Sequence, residues 1–356
     1  MAMPRIPKPV KTLTSPPPSA TRPRATGRVT LADVAALAGV SPITVSRALR
    51  GERTVDPSLT ERVKAAAEQL RYMPDPAARA LASRHSSHVA VLIPMLSNAL
   101  FVDLLEAVQR TLRPAGYQTL IGITHYDQQE EEQLLREQLQ HRPAGLLVTG
   151  IDHNQRTRDL IAGSGVPCVH VMALSPLPEV HCVGFSQTDA GAAITQHLLD
   201  RGRRRIAFVA AQLDPRTLQR AEGYRRALQA AGLHDPALEW LDPRPSSMAL
   251  GGELLEQVLR ERPDCDAVFF CNDDLAQGGL LAALRLGVAV PQRVAVAGFN
   301  DLSGSDQLLP PLTTVATPRG AIGEAGAQML LALMRGEVPA EHAVDLGFEL
   351  RVRQSS

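Results

Sequence analysis

The chain has 356 residues, 44% hydrophobic and 21% charged, with 37 Lys plus Arg balancing 37 Asp plus Glu. That length supports two or three domains with a sizeable core, and the longest apolar runs are too short to predict a membrane span. Charge is segregated, residues 1–88 holding 14 basic against 6 acidic side chains and the remainder 23 against 31; a basic head before an acidic body suits a polyanion binder that does not adhere to DNA indiscriminately.

Residues 1–27, rich in Pro, Ser, Thr and Arg, show no periodicity and are expected to be a disordered basic tail. The tail lacks the apolar core of a secretory signal, and Cys168, Cys182, Cys265 and Cys271 are scattered without metal-ligand spacing. Both features point to the cytoplasm and to structural thiols, with no metal and no cofactor. From Thr30 the chain reads TLADVAALAGVSPITVSRAL. Leu31, Val34, Ala35 and Ala38 give a short helix one apolar face, Thr30 and Asp33 cap it, and Gly39 ends it. Ser41 caps a second two-turn helix whose inward stripe is Val45, Ala48 and Leu49. Two short helices about a Gly turn are a helix-turn-helix, although Ala-rich helix pairs also occur in ordinary helical proteins. A third helix, opened by Asp56 and Pro57, closes a small core with Leu59, Val63, Ala66, Ala67 and Leu70. The outward side of the second helix, with Pro42, Ile43, Thr44, Ser46 and Arg47, carries groups able to meet phosphates, base edges and a thymine methyl. With Thr30 and Ser41 at the helix starts, these are the candidate DNA contacts of a head spanning 28–74.

Residues 75–87, including ARALAS, allow only two helical turns, too few for independent stability. From Val89 the pattern becomes α/β: HVAVLIP, YQTLIGI, GLLVTG and VPCVHVM read as buried strands between helices, and the alternation restarts after Gly184 with RRIAFVAA, CDAVFFC and RVAVAGF. A helix is predicted over 219–230, and the cleft segment AAQLDPRTLQRAEGY runs into it from the preceding strand. Uniformly apolar strands between covering helices imply parallel sheets buried on both faces. Two such lobes in tandem place a ligand in the cleft at the carboxyl ends of their strands. Four loops there carry the candidate contacts: Ser97, Leu100 and Phe101; Arg216, Thr217 and Arg220; Asn272 and Asp274; and Asn300. Helix-start packing for Phe101, solvated surface for Arg216 and Arg220, and capping for Asp273 and Asp274 remain alternatives. Two arginines in one loop favour a carboxylate ligand, because the guanidinium fork matches it. No G-x-S-x-G elbow, P-loop, G-x-G-x-x-G fingerprint or H-E-x-x-H motif occurs, so an enzyme is not expected.

The signature LADVAALAGVSPITVSRAL followed by an α/β module strongly resembles the lactose-repressor family of bacterial transcription regulators, from Val29 to about Gly347. The segments GFSQTDAG, CNDDLAQGG and VDLGF resemble its gluconate-responsive members. The resemblance implies a homodimer on a near-palindromic operator, with residues 75–87 as a hinge helix entering the minor groove. It assigns Leu81 as the apolar wedge between base pairs, with Arg79 beside it. It also implies a periplasmic-binding-protein-like effector domain over 88–356. Lobe 1 would be about 88–184 plus 317–344, and lobe 2 about 185–316 plus 345–356. Leu100 and Phe101 fall at the family's ligand-stacking positions and Asn272 at its sugar-hydroxyl contact, while Asn300 replaces a common aspartate and Met172 and Ala173 bring no acid. The expected effector is therefore a sugar acid, gluconate first, with 2-ketogluconate or another sugar or sugar phosphate as alternatives.

Overall fold

A computed structural model describes residues 29–51, 54–73, 86–97 and 99–356. The chain divides into two compact units, one ending at Ser83 and one beginning at Arg84. The tail and residues 75–85 of the hinge segment, with Arg79 and Leu81, lie outside the described residues.

In the first unit α1 (Leu31–Ala38), α2 (Pro42–Leu49) and α3 (Pro57–Gln69) enclose Val34, Ala35, Ala38, Val45, Ala48, Val63, Ala66 and Ala67. Thr30 and Asp33 form a reciprocal capping box at α1. Gly39 then adopts φ 67°, the left-handed conformation that glycine takes without a Cβ penalty. Arg62 of α3 donates to the Ala38 carbonyl at 2.6 Å, satisfying one of the acceptors that a helix end leaves open.

The second unit holds two six-stranded sheets. The first comprises β1 (His88–Ile93), β2 (Gln118–Ile123), β3 (Gly145–Thr149), β4 (Cys168–Val171), β5 (Cys182–Gly184) and β11 (Ala343–Asp345), in the order β11-β5-β4-β3-β1-β2. Its neighbours all pair in parallel. The second comprises β6 (Ile206–Ala211), β7 (Glu239–Asp242), β8 (Ala267–Phe270), β9 (Ala295–Asn300), β10 (Thr313–Ala316) and β12 (Glu349–Arg351), in the order β12-β10-β9-β8-β6-β7. Only β12 runs antiparallel, with Ala316 opposite Glu349.

Both faces of the first sheet are covered, as an apolar parallel strand requires. Val89, Val91 and Ile93 of β1 join the cluster of Leu104, Val108 and Leu112 on α4 (Leu100–Leu112), whereas Ala90 and Leu92 join Leu135 of α5 (Gln128–Gln140), with Leu160 and Ile161 of α6 (Gln155–Ser164) packed against them. On the second sheet α7 (Gln187–Asp200) packs against α8 (Pro215–Ala230), and α9 (Met248–Glu261) against α10 (Asp273–Leu286). α7 and α8 meet backbone to backbone at Gly223, where a Cβ would lie 2.0 Å from the Thr188 carbonyl oxygen. Glycine at that position therefore sets how closely α8, which bears Arg216 and Arg220, approaches its neighbour. The chain passes between the sheets after β5, after β10, where α11 (Arg319–Met334) packs on α4, and again after β11.

Candidate effector site and DNA-reading helix

Helix α8 begins at Pro215, four residues before the expected start, so Arg216 and Thr217 stand in its first turn instead of in a loop. The cause is local: the Asp214 carboxylate accepts from the N–H groups of Arg216 (2.9 Å) and Thr217 (3.4 Å), and Pro215 fits the first helical position. Arg216 and Arg220 are consequently i and i+4 on one helix face. Both are buried, at 7% and 3% exposure.

Their surroundings differ. Arg220 Nε donates to Gln187 Oε1 (2.8 Å), and its Nη1 donates to the Cys271 carbonyl (2.6 Å) and Asn272 Oδ1 (2.8 Å). Its Cζ lies 3.9 Å from the centre of the Phe299 ring. All of these partners are neutral, and burial pushes the guanidinium down to about 10. Arg216 donates from Nε to Asp214 (3.2 Å) and lies 5.7 Å from the centre of the Phe101 ring, but its buried Nη1 makes no hydrogen bond among the described residues. Asn300 mirrors it in polarity, for Nδ2 donates to Asn272 Oδ1 (3.2 Å) while the buried Oδ1 has no partner among the described residues. Buried polar atoms are ordinarily hydrogen-bonded, so each of these two atoms has unused capacity for a ligand.

The remaining sequence candidates divide. Thr217 is buried and its hydroxyl donates to Asp214 (3.3 Å), which makes it part of the α8 cap. Asn272 is the N-cap residue of α10, yet its side chain serves Arg220 and Asn300. Asp274 accepts from the Leu275 N–H (3.0 Å). Leu100 and Phe101 are buried in the core that α4 shares with β1, and Ser97 is exposed. Asp273 is fully buried and accepts from Thr314 (2.6 Å), Ser305 (3.0 Å) and the Leu302 N–H (2.7 Å), although burial pushes its carboxyl up to about 6. It braces the β9–β10 end of the sheet.

A cavity of about 410 Å³ opens beside Arg216, lined from the first sheet by Thr124, Tyr126 and Asp152 and from the second by Gln212, Asp214 and Arg216. That volume is within the usual range for small-molecule sites. Of the sequence candidates only Arg216 lines it. Tyr126, Asp152 and Gln212 follow β2, β3 and β6 without any motif, and only the strand order brings them together. Among the described residues no His, Cys, Asp and Glu group could hold a metal ion, and no helix is long and apolar enough to cross a membrane.

In the head, Ile43 is 67% exposed at the start of α2, with Pro42 and Arg47 also on the surface. The Thr30, Ser41 and Thr44 hydroxyls are engaged in the caps, Ser41 accepting from the Thr44 N–H at 3.2 Å.

A helix-turn-helix head joined to a two-lobed α/β body of this topology defines a DNA-binding regulator with a periplasmic-binding-protein-like effector domain. Residues 30–75 match the bacterial regulatory proteins, lacI family, and residues 195–356 match the periplasmic binding protein-like domain. The chain is 56% identical over 333 residues to the HTH-type transcriptional regulator GntR of Pseudomonas aeruginosa, covering 94% of this chain and 97% of the relative. It is 37% identical over 324 residues to GntR of Escherichia coli, covering 91% and 97%. The crystal structure of transcription regulator GntR from Chromobacterium violaceum superposes with a TM-score of 0.74 at 54% identity, over 76% of this chain and 99% of that one. The chain belongs to the lacI family of bacterial regulatory proteins, which makes it a transcription regulator and not an enzyme.

Proposed function

We propose that the protein is a cytoplasmic, dimeric repressor that binds a near-palindromic operator through its helix-turn-helix head and is released by a sugar acid, gluconate or a close derivative. The observation that carries the ligand assignment is the charge balance on α8. Among the described residues Arg220 is bonded to neutral groups alone, and Arg216, bonded to the Asp214 carboxylate, keeps Nη1 without an acceptor. A buried charge without a counter-charge is costly. A carboxylate placed there gains charge-assisted hydrogen bonds, whereas a neutral sugar does not supply the missing charge. Asn300 supports the same reading, because an aspartate there would itself furnish a carboxylate beside the Asn272–Arg220 pair. The similarity to GntR of Pseudomonas aeruginosa and of Escherichia coli, together with the segments that resemble gluconate-responsive members, orders gluconate ahead of 2-ketogluconate and sugar phosphates.

Operator contact is assigned to Pro42, Ile43, Thr44, Ser46 and Arg47 on α2, with Thr30 and Ser41 at the helix starts and Arg79 and Leu81 from the hinge. Repression and effector binding are coupled through linkage: an effector that favours a lobe closure incompatible with operator binding must weaken the operator complex, and operator must weaken effector binding equally. Calorimetric titration with gluconate, 2-ketogluconate, 6-phosphogluconate and glucose, followed by an operator-release assay with each, tests both halves. Binding of an acid with release of operator is expected. Binding of glucose alone overturns the ligand assignment, and acid binding without release overturns the linkage.

A further inference from the structure

The cavity beside Arg216 has a carboxylate on its opposite wall that the sugar-acid reading leaves without a role. Four carboxylates line the space, and three are engaged. Asp127 accepts from the N–H groups of Gln129 (2.7 Å) and Glu130 (2.9 Å), Glu131 is paired with His153 (2.9 Å), and Asp214 serves Arg216 and Thr217. The Asp152 side chain makes no hydrogen bond or ion pair within the described residues. Its backbone is held in place nonetheless: Gln128 Nε2 donates to the Asp152 carbonyl (2.7 Å), and Asn154 Nδ2 donates to the Gln128 carbonyl (2.9 Å), tying the loop after β3 to the start of α5. Asp152 is thus a fixed acceptor facing a cavity whose other wall carries an unpartnered, nine-tenths buried guanidinium nitrogen.

A carboxylate accepts and does not donate, so it complements hydroxyl groups. We propose that Asp152 reads the hydroxylated tail of the effector while Arg216 holds its acid end, so that the site ranks polyhydroxy acids by chain length. This rests on the sugar-acid reading and adds its second anchor, supplied by the other lobe. A ligand held at both points touches the ends of β3 and of β6–α8 at once, and an interaction made with both lobes is what gives a ligand different affinities for open and closed arrangements. A short acid reaches Arg216 alone and binds one lobe; a longer one bridges.

The test is a calorimetric series on the full chain with glycerate, threonate, ribonate, gluconate and glucoheptonate, repeated with Asp152→Asn and Asp152→Ala. Asp152 is exposed at the cavity rim, so neither change removes a core contact. In the unaltered protein affinity should climb along the series to gluconate. In D152N and D152A gluconate should lose about tenfold or more, the scale of one hydrogen bond to a charged group, while glycerate changes little, flattening the series. An unaltered slope in both variants overturns the role of Asp152 and leaves the sugar-acid reading standing. If no acid of the series binds the unaltered protein, the sugar-acid reading fails and this inference fails with it.

Discussion

Arg319 is the side chain whose removal should most directly loosen the effector body. It stands at the start of α11, where the chain has just crossed from the second sheet to the first, and its side chain is 14% exposed. On one side it pairs with Asp103 of α4 at 2.9 Å. On the other it donates to the carbonyls of Asn300 and Asp301, the latter at 3.4–3.5 Å. Those two residues have φ of 111° and 51°, a conformation that non-glycine residues hold only when their surroundings impose it. Two effects compete in the Arg319→Met variant. The Asp103 carboxylate is 53% exposed, so the ion pair contributes roughly 0–1 kcal/mol. Hydrogen bonds from a charged donor contribute about 1.5–3 kcal/mol, and the Asn300 and Asp301 carbonyls lose theirs, the first keeping the Thr317 hydroxyl at 3.5 Å. Arg319→Met should therefore cost about 2–4 kcal/mol and Asp103→Asn under about 1 kcal/mol. The double variant should cost no more than Arg319→Met alone. Urea unfolding of the three proteins at one pH and ionic strength measures this. An Asp103→Asn cost equal to that of Arg319→Met would refute the reasoning, because it would assign the clamp to the ion pair and not to the strained turn that carries Asn300.

Asn300→Asp should reduce gluconate affinity by about tenfold or more, because the new carboxylate supplies Arg220 with an internal counter-charge and repels the ligand's own; calorimetry against the unaltered protein reads it, and unchanged affinity would remove Asn300 from the site. Stability should also fall on acidification through His170. Burial, with His153 beside it, pushes His170 down to about 4, whereas an unfolded histidine titrates near 6.5. The unfolded chain thus takes up the proton first. The contribution is fully present above about pH 6.5, falls as pH drops towards 4, and amounts to about 3 kcal/mol over that window. His170→Asn should flatten the difference between urea midpoints at pH 7.5 and pH 4.5, and an unchanged difference would return the acid sensitivity to other groups.

How much of this was legible in the sequence depended on whether the signal was local. The capping box at Thr30, the left-handed Gly39 and the apolar stripe of α1 are encoded within a few residues of each other, and the structure has them in register. The α/β alternation likewise follows from apolar strands whose two faces both need cover, as β1 shows by sending alternate residues into two clusters. The start of α8 is equally local, since Asp214 followed by Pro215 is a helix-start signal, and it lies four residues before the expected residue 219. β5, β10 and β11, of three or four residues, lack the longer apolar run that marks the equally short β4 and β8. The site is a harder case. Arg216 and Arg220 were identifiable from residue type, but their unequal roles were not, since Arg220 is engaged by Gln187, Cys271 and Asn272 from three other segments. Arg319 and Asp152 have no local mark. Arg319 acquires meaning only when the chain crosses from β10 back to the first sheet, and Asp152 only when the strand order sets the ends of β2, β3 and β6 towards one space, so residue type marks the donors of this site before the geometry that employs them.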